Sequence, residues 1–299
     1  MTPRISDEVS AALADGGPVV ALETTLVSHG FSAGRGLEAA VESERRVREA
    51  GAVPATIGVL DGEIRVGLDR GELDQFAAAG TAARKVGARD IAACVVQGDI
   101  GSTTVGGTLA VCRLVGISFM ATGGLGGVHR GFAKSADISA DLPQLARTPV
   151  LVVSSGAKSM LDVPATSEVL ETLAVPVLGW RTPTLPLFYA AEGGPAVSAV
   201  VKTSAEAASV ARLHWAINPA GGLLLARPPS DGLDIEELIA AAVVQVSERG
   251  ITGQAVTPAV LALIEELSDG RSIEVNRALI ADNAGLAGEV AVAFARSAG

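Results

Sequence analysis

Short, almost wholly apolar runs alternate along this chain with longer amphipathic stretches, and few architectures accept that pattern. Val19–Leu22, Ile91–Val96, Ile117–Ala121, Val150–Ser154, Val175–Gly179 and Leu223–Ala226 are brief and bounded by Gly, Pro or polar residues. A strand with one wet face alternates apolar and polar side chains, whereas a strand that is apolar throughout is covered on both faces. These six runs therefore read as buried strands. Between them, Leu37–Ala50, Leu73–Ala79, Thr103–Val115, Ser167–Ala174 and Ala205–Ile217 read as helices. Gly51 follows the first of these as a C′ residue, and Thr203 with Glu206 has capping-box spacing before the last. Repeated β–α alternation predicts an α/β fold, a three-layer α/β/α sandwich around a mainly parallel sheet.

Two regions leave that rhythm. Ala55–Leu60 and Glu63–Leu68 flank Asp61-Gly62, a strong two-residue hairpin signal, which predicts a β-hairpin near residues 55–68. After Asp234 the chain reads as a helical C-terminal region made of Ile235–Arg249, Pro258–Leu267 and Ser272–Ala298, with Pro258 suited to a first helical position. No low-complexity linker and no repeat of about 20–50 residues divides the chain, so residues 1–299 are expected to form a single domain.

Charge and composition remove several function classes. The formal net charge is -10, which repels phosphate backbones, so no nucleic-acid polymer is expected as a partner. A small anionic substrate would need a local positive field instead. No apolar run approaches about 20 residues without charges or glycines, and Met1-Thr-Pro-Arg-Ile-Ser-Asp-Glu8 has no apolar leader core. No membrane contact and a cytoplasmic location are the corresponding expectations. Cys94 and Cys112 show no metal-ligand spacing and read as buried reduced thiols.

In an open α/β sheet, ligands bind beyond the carboxyl ends of the strands. Polar residues gather after four of the six apolar runs. Glu23 follows Leu22, Gly98–Thr104 follow Val96, Thr122–Gly131 follow Ala121, and Ser155–Lys158 follow Ser154. A carboxylate among apolar neighbours, as at Glu23, is either a general acid with a raised pKa or a structural partner of an Arg or a helix end. Lys158 is either a Schiff-base lysine or an ordinary lysine whose head reaches water. The Gly-rich run at 123–131 permits close backbone approach to a ligand but is neither a P-loop nor a dinucleotide fingerprint. Ser102–Val105 opens a helix, which either cradles phosphate or is simply capped by its hydroxyls.

Asp137 and Asp141 stand four residues apart and would share a face if both were helical. One carboxylate can hold a hydrated divalent ion such as Mg²⁺ or Mn²⁺ while the other orients substrate; Asp141 also suits an N-cap before Leu142-Pro143. The three histidines are His29, His129 and His214. His214 reads as structural, His29 and His129 lie on glycine-flanked loops, and no zinc-site pair is present.

Together these segments resemble the pseudouridine-5'-phosphate glycosidase family, also called the indigoidine-synthase-A-like family. The matching phrases are VALETTLVSHG at 20–30, GAVPATI at 51–57, ATGGLGGVHRG at 121–131, DISADL at 137–142 and SGAKS at 155–159. The resemblance runs from about Ser6 to the C-terminus. It implies cleavage of the carbon–carbon glycosidic bond of pseudouridine 5'-phosphate, reversibly, to ribose 5-phosphate and uracil. It places the proton-donating Glu on Glu23, the imine-forming Lys on Lys158 and a metal-ligand Asp on Asp137, with Mn²⁺ as the ion. Substrate contacts fall on Lys85, Thr104, Val105, Ser139, Ala140 and Asp141, and further active-site positions on His129 and Asn276. It also implies a homotrimer and no organic cofactor. The run Phe31–Gly36 departs from the proline-bearing loop of many relatives, which bears on the shape of that loop and not on the reaction class.

A C-glycoside offers no leaving oxygen or nitrogen to protonate, so a pair of carboxylates does not suffice. Ring opening assisted by Glu23 and capture of C1′ by Lys158 would activate the bond, with Asp141 or His129 moving the proton at the base. The competing readings are a Schiff-base sugar-phosphate lyase or aldolase on another substrate, and a non-catalytic sugar-phosphate binding protein.

Overall fold

The computed structural model describes residues 2–31, 34–158, 160–251 and 256–297. Among them eleven strands form one sheet. In chain order these are β1 (Arg4–Ile5), β2 (Val19–Glu23), β3 (Val53–Leu60), β4 (Glu63–Val66), β5 (Arg84–Val86), β6 (Gly101–Thr103), β7 (Phe119–Ala121), β8 (Leu151–Ser154), β9 (Val177–Trp180), β10 (Ala199–Val201) and β11 (Leu223–Ala226). Their spatial order is β1-β4-β3-β2-β7-β8-β11-β9-β10, with β5 and β6 attached beside β3. From β3 to β10 every neighbouring pair on this path is parallel.

The apolar runs are continuous because helices cover both faces. Val20 and Leu22 of β2, Phe119 and Ala121 of β7, and Leu151 and Val153 of β8 pack with Ala284, Ala287 and Val290 of the Arg271–Arg296 helix. The alternate residues Val19, Ala21, Met120 and Val152 enter the opposite core with Leu109, Leu142 and Leu145. The strand period of two therefore sorts one apolar run into two cores. The Arg271–Arg296 helix is long and apolar enough by composition to cross a bilayer, yet it lies on β2, β7 and β8. The expected α/β sandwich and the helical C-terminal region are both present, the latter as Glu236–Glu248, Val256–Leu267 and Arg271–Arg296. Pro258 lies in the first turn of its helix, and Ala298 is outside the described residues.

The hairpin forms as the sequence predicts. β3 and β4 pair antiparallel, and Asp61 and Gly62 have φ of 51° and 73°, the two positive values that a type I′ turn requires. Gly51 is left-handed after the Arg35–Glu49 helix, with φ 87°. Thr203 caps the Ser204–Ile217 helix by accepting from the Glu206 N–H, while Glu206 reaches back to the Lys202 N–H.

One expected strand is a helix. Ile91–Val96 lies in the helix Ile91–Gln97. Cys94 and Val95 are buried whereas Ala92, Ala93 and Val96 are exposed, a one-sided helical burial that so short an apolar run cannot display in sequence. The strand at this place is β6, a few residues later, and its composition of Gly, Ser and Thr hid it. β6 shapes the end of the sheet. β3 is long enough that its first half pairs with β2 and its second half with β6. The sheet thus opens just where β2 ends.

Candidate active site

Glu23 is the last residue of β2, level with Ile57 of β3. Leu22 is level with Ala121, so Thr122 arrives beside Glu23 as β7 ends. The Thr122 hydroxyl donates to Glu23 Oε1, and the Thr25 hydroxyl donates to Oε2. Glu23 is 3% exposed. Burial pushes its pKa above the usual carboxylate range, against the opposing pull of the Lys158 charge and the two hydroxyls. No Arg pairs with it among the described residues, and its partners are the two hydroxyls.

A knot of buried hydroxyls fixes β6 against this strand end. Thr24 Oγ1 and Thr103 Oγ1 both donate to the Ile57 carbonyl, at 2.8 and 2.7 Å, and the Thr103 N–H donates to Thr24 Oγ1 at 2.9 Å. Thr104 follows at once and caps the Val105–Val115 helix through the Gly107 N–H. The start of that helix is thereby brought to the mouth of the gap between β2 and β6.

Asp141 occupies much of this helix end. Its Oδ1 accepts from the Gly106 N–H at 2.7 Å and its Oδ2 from the Gly126 N–H at 3.1 Å. A carboxylate at a helix N-terminus is favourably placed. A Cβ on Gly126 would lie 2.5 Å from Asp141 Oδ2 and 2.3 Å from Ser139 Oγ, which is why the loop needs glycine there. Three expectations change as a result. Asp137 lies in an irregular segment and Asp141 starts a helix, so the two share no helix face. Asp141 caps another helix than its own, whose N-cap is Ala140. The phosphate cradle is narrower than expected: of the first three N–H groups, Gly106 and Gly107 are already taken, which leaves the Val105 N–H. The Val105 side chain is core, at 1% exposure, and Val105 offers only its backbone.

The Gly-rich loop after β7 and the loop after β8 are laced together. The Leu125 N–H donates to the Gly156 carbonyl and the Lys158 N–H to the Leu125 carbonyl, at 2.9 and 3.0 Å. This sets Lys158 on the rim facing Glu23. Beyond Gly127 the chain forms a small antiparallel ribbon, Val128 opposite Ile138, which carries His129 and Asp137. Their side chains approach to 3.9 Å.

These loops enclose a cleft of about 370 Å³. Glu23, Lys85, Thr104, His129, Asp137, Ser139, Ala140, Asp141, Lys158 and Asn276 all line it. Of the expected residues Val105 alone does not. Lys85, on β5, is largely buried; burial and then repulsion by Lys158 lower its pKa, so a dianion at this spot would meet two cations. His29 also lines the cleft, with Nε2 3.0 Å from the Ala83 carbonyl; burial lowers its pKa. His214 lies away from the cleft, as its structural reading requires. Asn276 comes from the Arg271–Arg296 helix, is 6% exposed, and its Oδ1 has no partner among the described residues. A buried acceptor left open toward a cleft calls for a donor from a ligand.

Asp137 is the acid best placed for a cation. Its side chain is 39% exposed, and no group of three His, Cys, Asp or Glu able to hold a metal occurs among the described residues. One hard oxygen ligand open to water suits a mostly hydrated divalent ion and does not suit a closed protein cage. Sequence reasoning gave no role to Thr25, Thr122 or Phe188. The register of Leu22 with Ala121 carries the signal for Thr122, and it exists only once the strands are paired. Phe188 lines the cleft in a left-handed backbone conformation, φ 64°, with its ring over Gly124.

Comparison with known proteins gives a consistent result. A family model described as indigoidine synthase A like protein matches residues 8–293. The chain is 46% identical over 298 residues to a pseudouridine-5'-phosphate glycosidase of Chloroflexus aurantiacus, covering 97% of each. It is 46% identical over 297 residues to a protein of the same name from Paracoccus denitrificans, covering 97% of this chain and 98% of that one. Among solved structures, a prealnumycin C-glycosynthase in complex with ribulose 5-phosphate superposes with a TM-score of 0.90 at 39% identity, covering 100% of this chain and 98% of that one. An indigoidine synthase A-like protein from Thermotoga maritima gives a TM-score of 0.87 at 35% identity over 94% of each chain.

Proposed function

The chain belongs to the indigoidine synthase A-like family, and from that premise we propose that it is a pseudouridine-5'-phosphate glycosidase acting through a lysine imine. The observation that carries the reading is a buried carboxyl with a raised pKa, Glu23, sharing one cleft with Lys158 at the carboxyl ends of parallel strands. A protein that only binds a sugar phosphate has no need of that pair.

The substrate is a phosphorylated nucleoside. Lys85 holds its phosphate beside Thr104 at the helix start, where two lysines give this acidic chain a local positive field. Glu23 gives its proton to the ribose ring oxygen as the Lys158 amine bonds to C1′, and the ring opens. Proton delivery to C5 of the base then lets the C1′–C5 bond break, with its electron pair leaving on uracil. The imine left on Lys158 is hydrolysed, so the sum is one water consumed, with ribose 5-phosphate and uracil formed. Asn276 Oδ1 accepts an N–H of the base. His129 and Asp141 line the same cleft. Asp141 already accepts two backbone N–H bonds, so its oxygens are engaged as acceptors, and His129 is the side chain left to deliver the proton to C5.

Asp137 would hold Mn²⁺ completed by water; when bound, the ion would offset the negative charge of the phosphorylated substrate. The same reading includes a cytoplasmic homotrimer without an organic cofactor, and light scattering of the purified protein tests the oligomer. The decisive assay is incubation with pseudouridine 5'-phosphate and detection of uracil. Borohydride trapping with ribose 5-phosphate, followed by peptide mass spectrometry, should place the adduct on Lys158. An adduct confined to Lys85, Lys134 or Lys202 would overturn the assignment.

A further inference from the structure

Asn283 is 0% exposed and lies midway along the Arg271–Arg296 helix, on the side that faces the sheet. Its neighbours there are small and apolar, Ala284 and Ala287 among them. A buried amide among such residues loses its hydration and is tolerated only where its hydrogen bonds are made. Asn283 makes them to the roots of both catalytic loops. Its Nδ2 donates to the Thr122 carbonyl at 2.9 Å and to Ser155 Oγ at 3.1 Å.

We propose that Asn283 is a positioning residue for the reaction, one that holds the Glu23 and Lys158 loops in register with each other and with the helix that presents Asn276. The role rests on the glycosidase activity. Thr122 is the residue whose hydroxyl serves Glu23, and its carbonyl is the one Asn283 holds. Ser155 opens the loop that carries Lys158 three residues later. The backbone bonds through Leu125 lace these two loops to each other but do not tie them to the helical layer. Asn283 makes that tie. Asn276 lies seven residues earlier, almost two turns at 3.6 residues per turn, and so on the same side of the helix. One helix face thereby sets the base-facing acceptor, the acid and the amine to a common reference. Near-attack geometry is sensitive to displacements of about 1 Å, so a loosened register would slow chemistry more than binding.

The test is Asn283→Leu, which keeps the branched shape and heavy-atom count and removes both donors. Three quantities are read beside the wild-type chain: the melt, the rate at which a borohydride-trappable adduct forms with ribose 5-phosphate, and single-turnover uracil release across pH. The expected result is a folded protein whose adduct formation and uracil release both fall by about tenfold or more while the substrate concentration that half-saturates each rate moves little. Lower stability with both rates within about twofold of wild type per folded molecule would overturn the proposal and leave a merely structural asparagine. If Asn283→Leu does not fold, Ser155→Ala removes the tie to the Lys158 loop and leaves the one to Thr122 in place. Slower adduct formation supports the proposal, and an unchanged rate overturns it. A wild-type chain that releases no uracil would refute the glycosidase reading itself, whereas an active wild type with unchanged variants refutes only the role of Asn283.

Discussion

The Thr122 hydroxyl donates to the buried carboxyl of Glu23, so the acid at the end of β2 is tuned by the residue that follows its neighbour β7. Burial raises the pKa of Glu23; the charge of Lys158 and the hydroxyls of Thr122 and Thr25 lower it. The three opposing contacts favour the charged form, and each is separately removable. Thr122→Val keeps the shape and removes one donor. A hydrogen bond to a charged group is worth about 1.5–3 kcal/mol, so the high-pH limb of the kcat profile should move up by about one to two pH units. The direction follows because an acid donor is active while protonated. A limb that stays in place, beside a lowered melt, would mean that Thr122 only packs.

Lys85 should decide phosphate recognition. It is largely buried near Lys158, and it forms no direct ion pair with a carboxylate among the described residues, so a dianion is the partner that relieves both cations. Lys85→Ala should weaken binding of the nucleotide by about 1.5–3 kcal/mol and reduce the preference for nucleotide over free nucleoside. Competition binding with the two ligands measures this. An unchanged preference would assign the phosphate to another part of the cleft.

Metal removal provides a third test. Treatment with EDTA should lower turnover, and added Mn²⁺ should restore it. Asp137→Asn should raise the Mn²⁺ concentration needed for half-maximal activity, and loss of free-ion signal in electron paramagnetic resonance reads binding directly. Full activity in a verified metal-free preparation would refute a catalytic need for the ion.

The parts of this site that sequence reveals are those whose chemistry is local. Glu23 ends an apolar strand and Lys158 follows one, so a few neighbours place both near the rim while their roles come from the family resemblance; Asp61-Gly62 carries its turn in two residues. The Ile91–Val96 run misled because six apolar residues contain too little period to separate a strand from a half-buried helix. β6 was missed because it is built from Gly, Ser and Thr and is paired only with β3 and β5. Asp137 and Asp141 both line the cleft, and of the two arrangements their spacing left open, a shared helix face or separate placement, the backbone forms the second. The hydroxyl of Thr122 and the amide of Asn283 act across 99 and 161 residues of sequence separation. Their partners exist only after the sheet and the last helix have assembled, so nothing near them in the chain announces their roles.

The mechanism depends most on Glu23, and Glu23→Gln isolates its proton. Gln keeps the size and can still meet the hydroxyls of Thr25 and Thr122, but it supplies no acid. If Glu23 opens the ribose ring, the variant should bind ligand and lose uracil release by roughly 10²-fold or more in a single turnover. Stability gives an independent reading of the same carboxyl. The folded state raises its pKa above the ordinary 4.5, so the native protein holds that proton more tightly than the unfolded chain does. The resulting stabilisation is full below about pH 4.5 and is lost as pH rises through the folded-state value. Wild type should therefore lose melting temperature over this range more steeply than Glu23→Gln, and the variant should gain on it toward neutral pH. The measurements are uracil release and thermal melts of both proteins from about pH 4 upward. A variant with near-wild-type release would end the general-acid assignment. Curves that stay parallel to high pH would show that the fold does not release this proton on ionisation, and the stability argument for a raised pKa would fail.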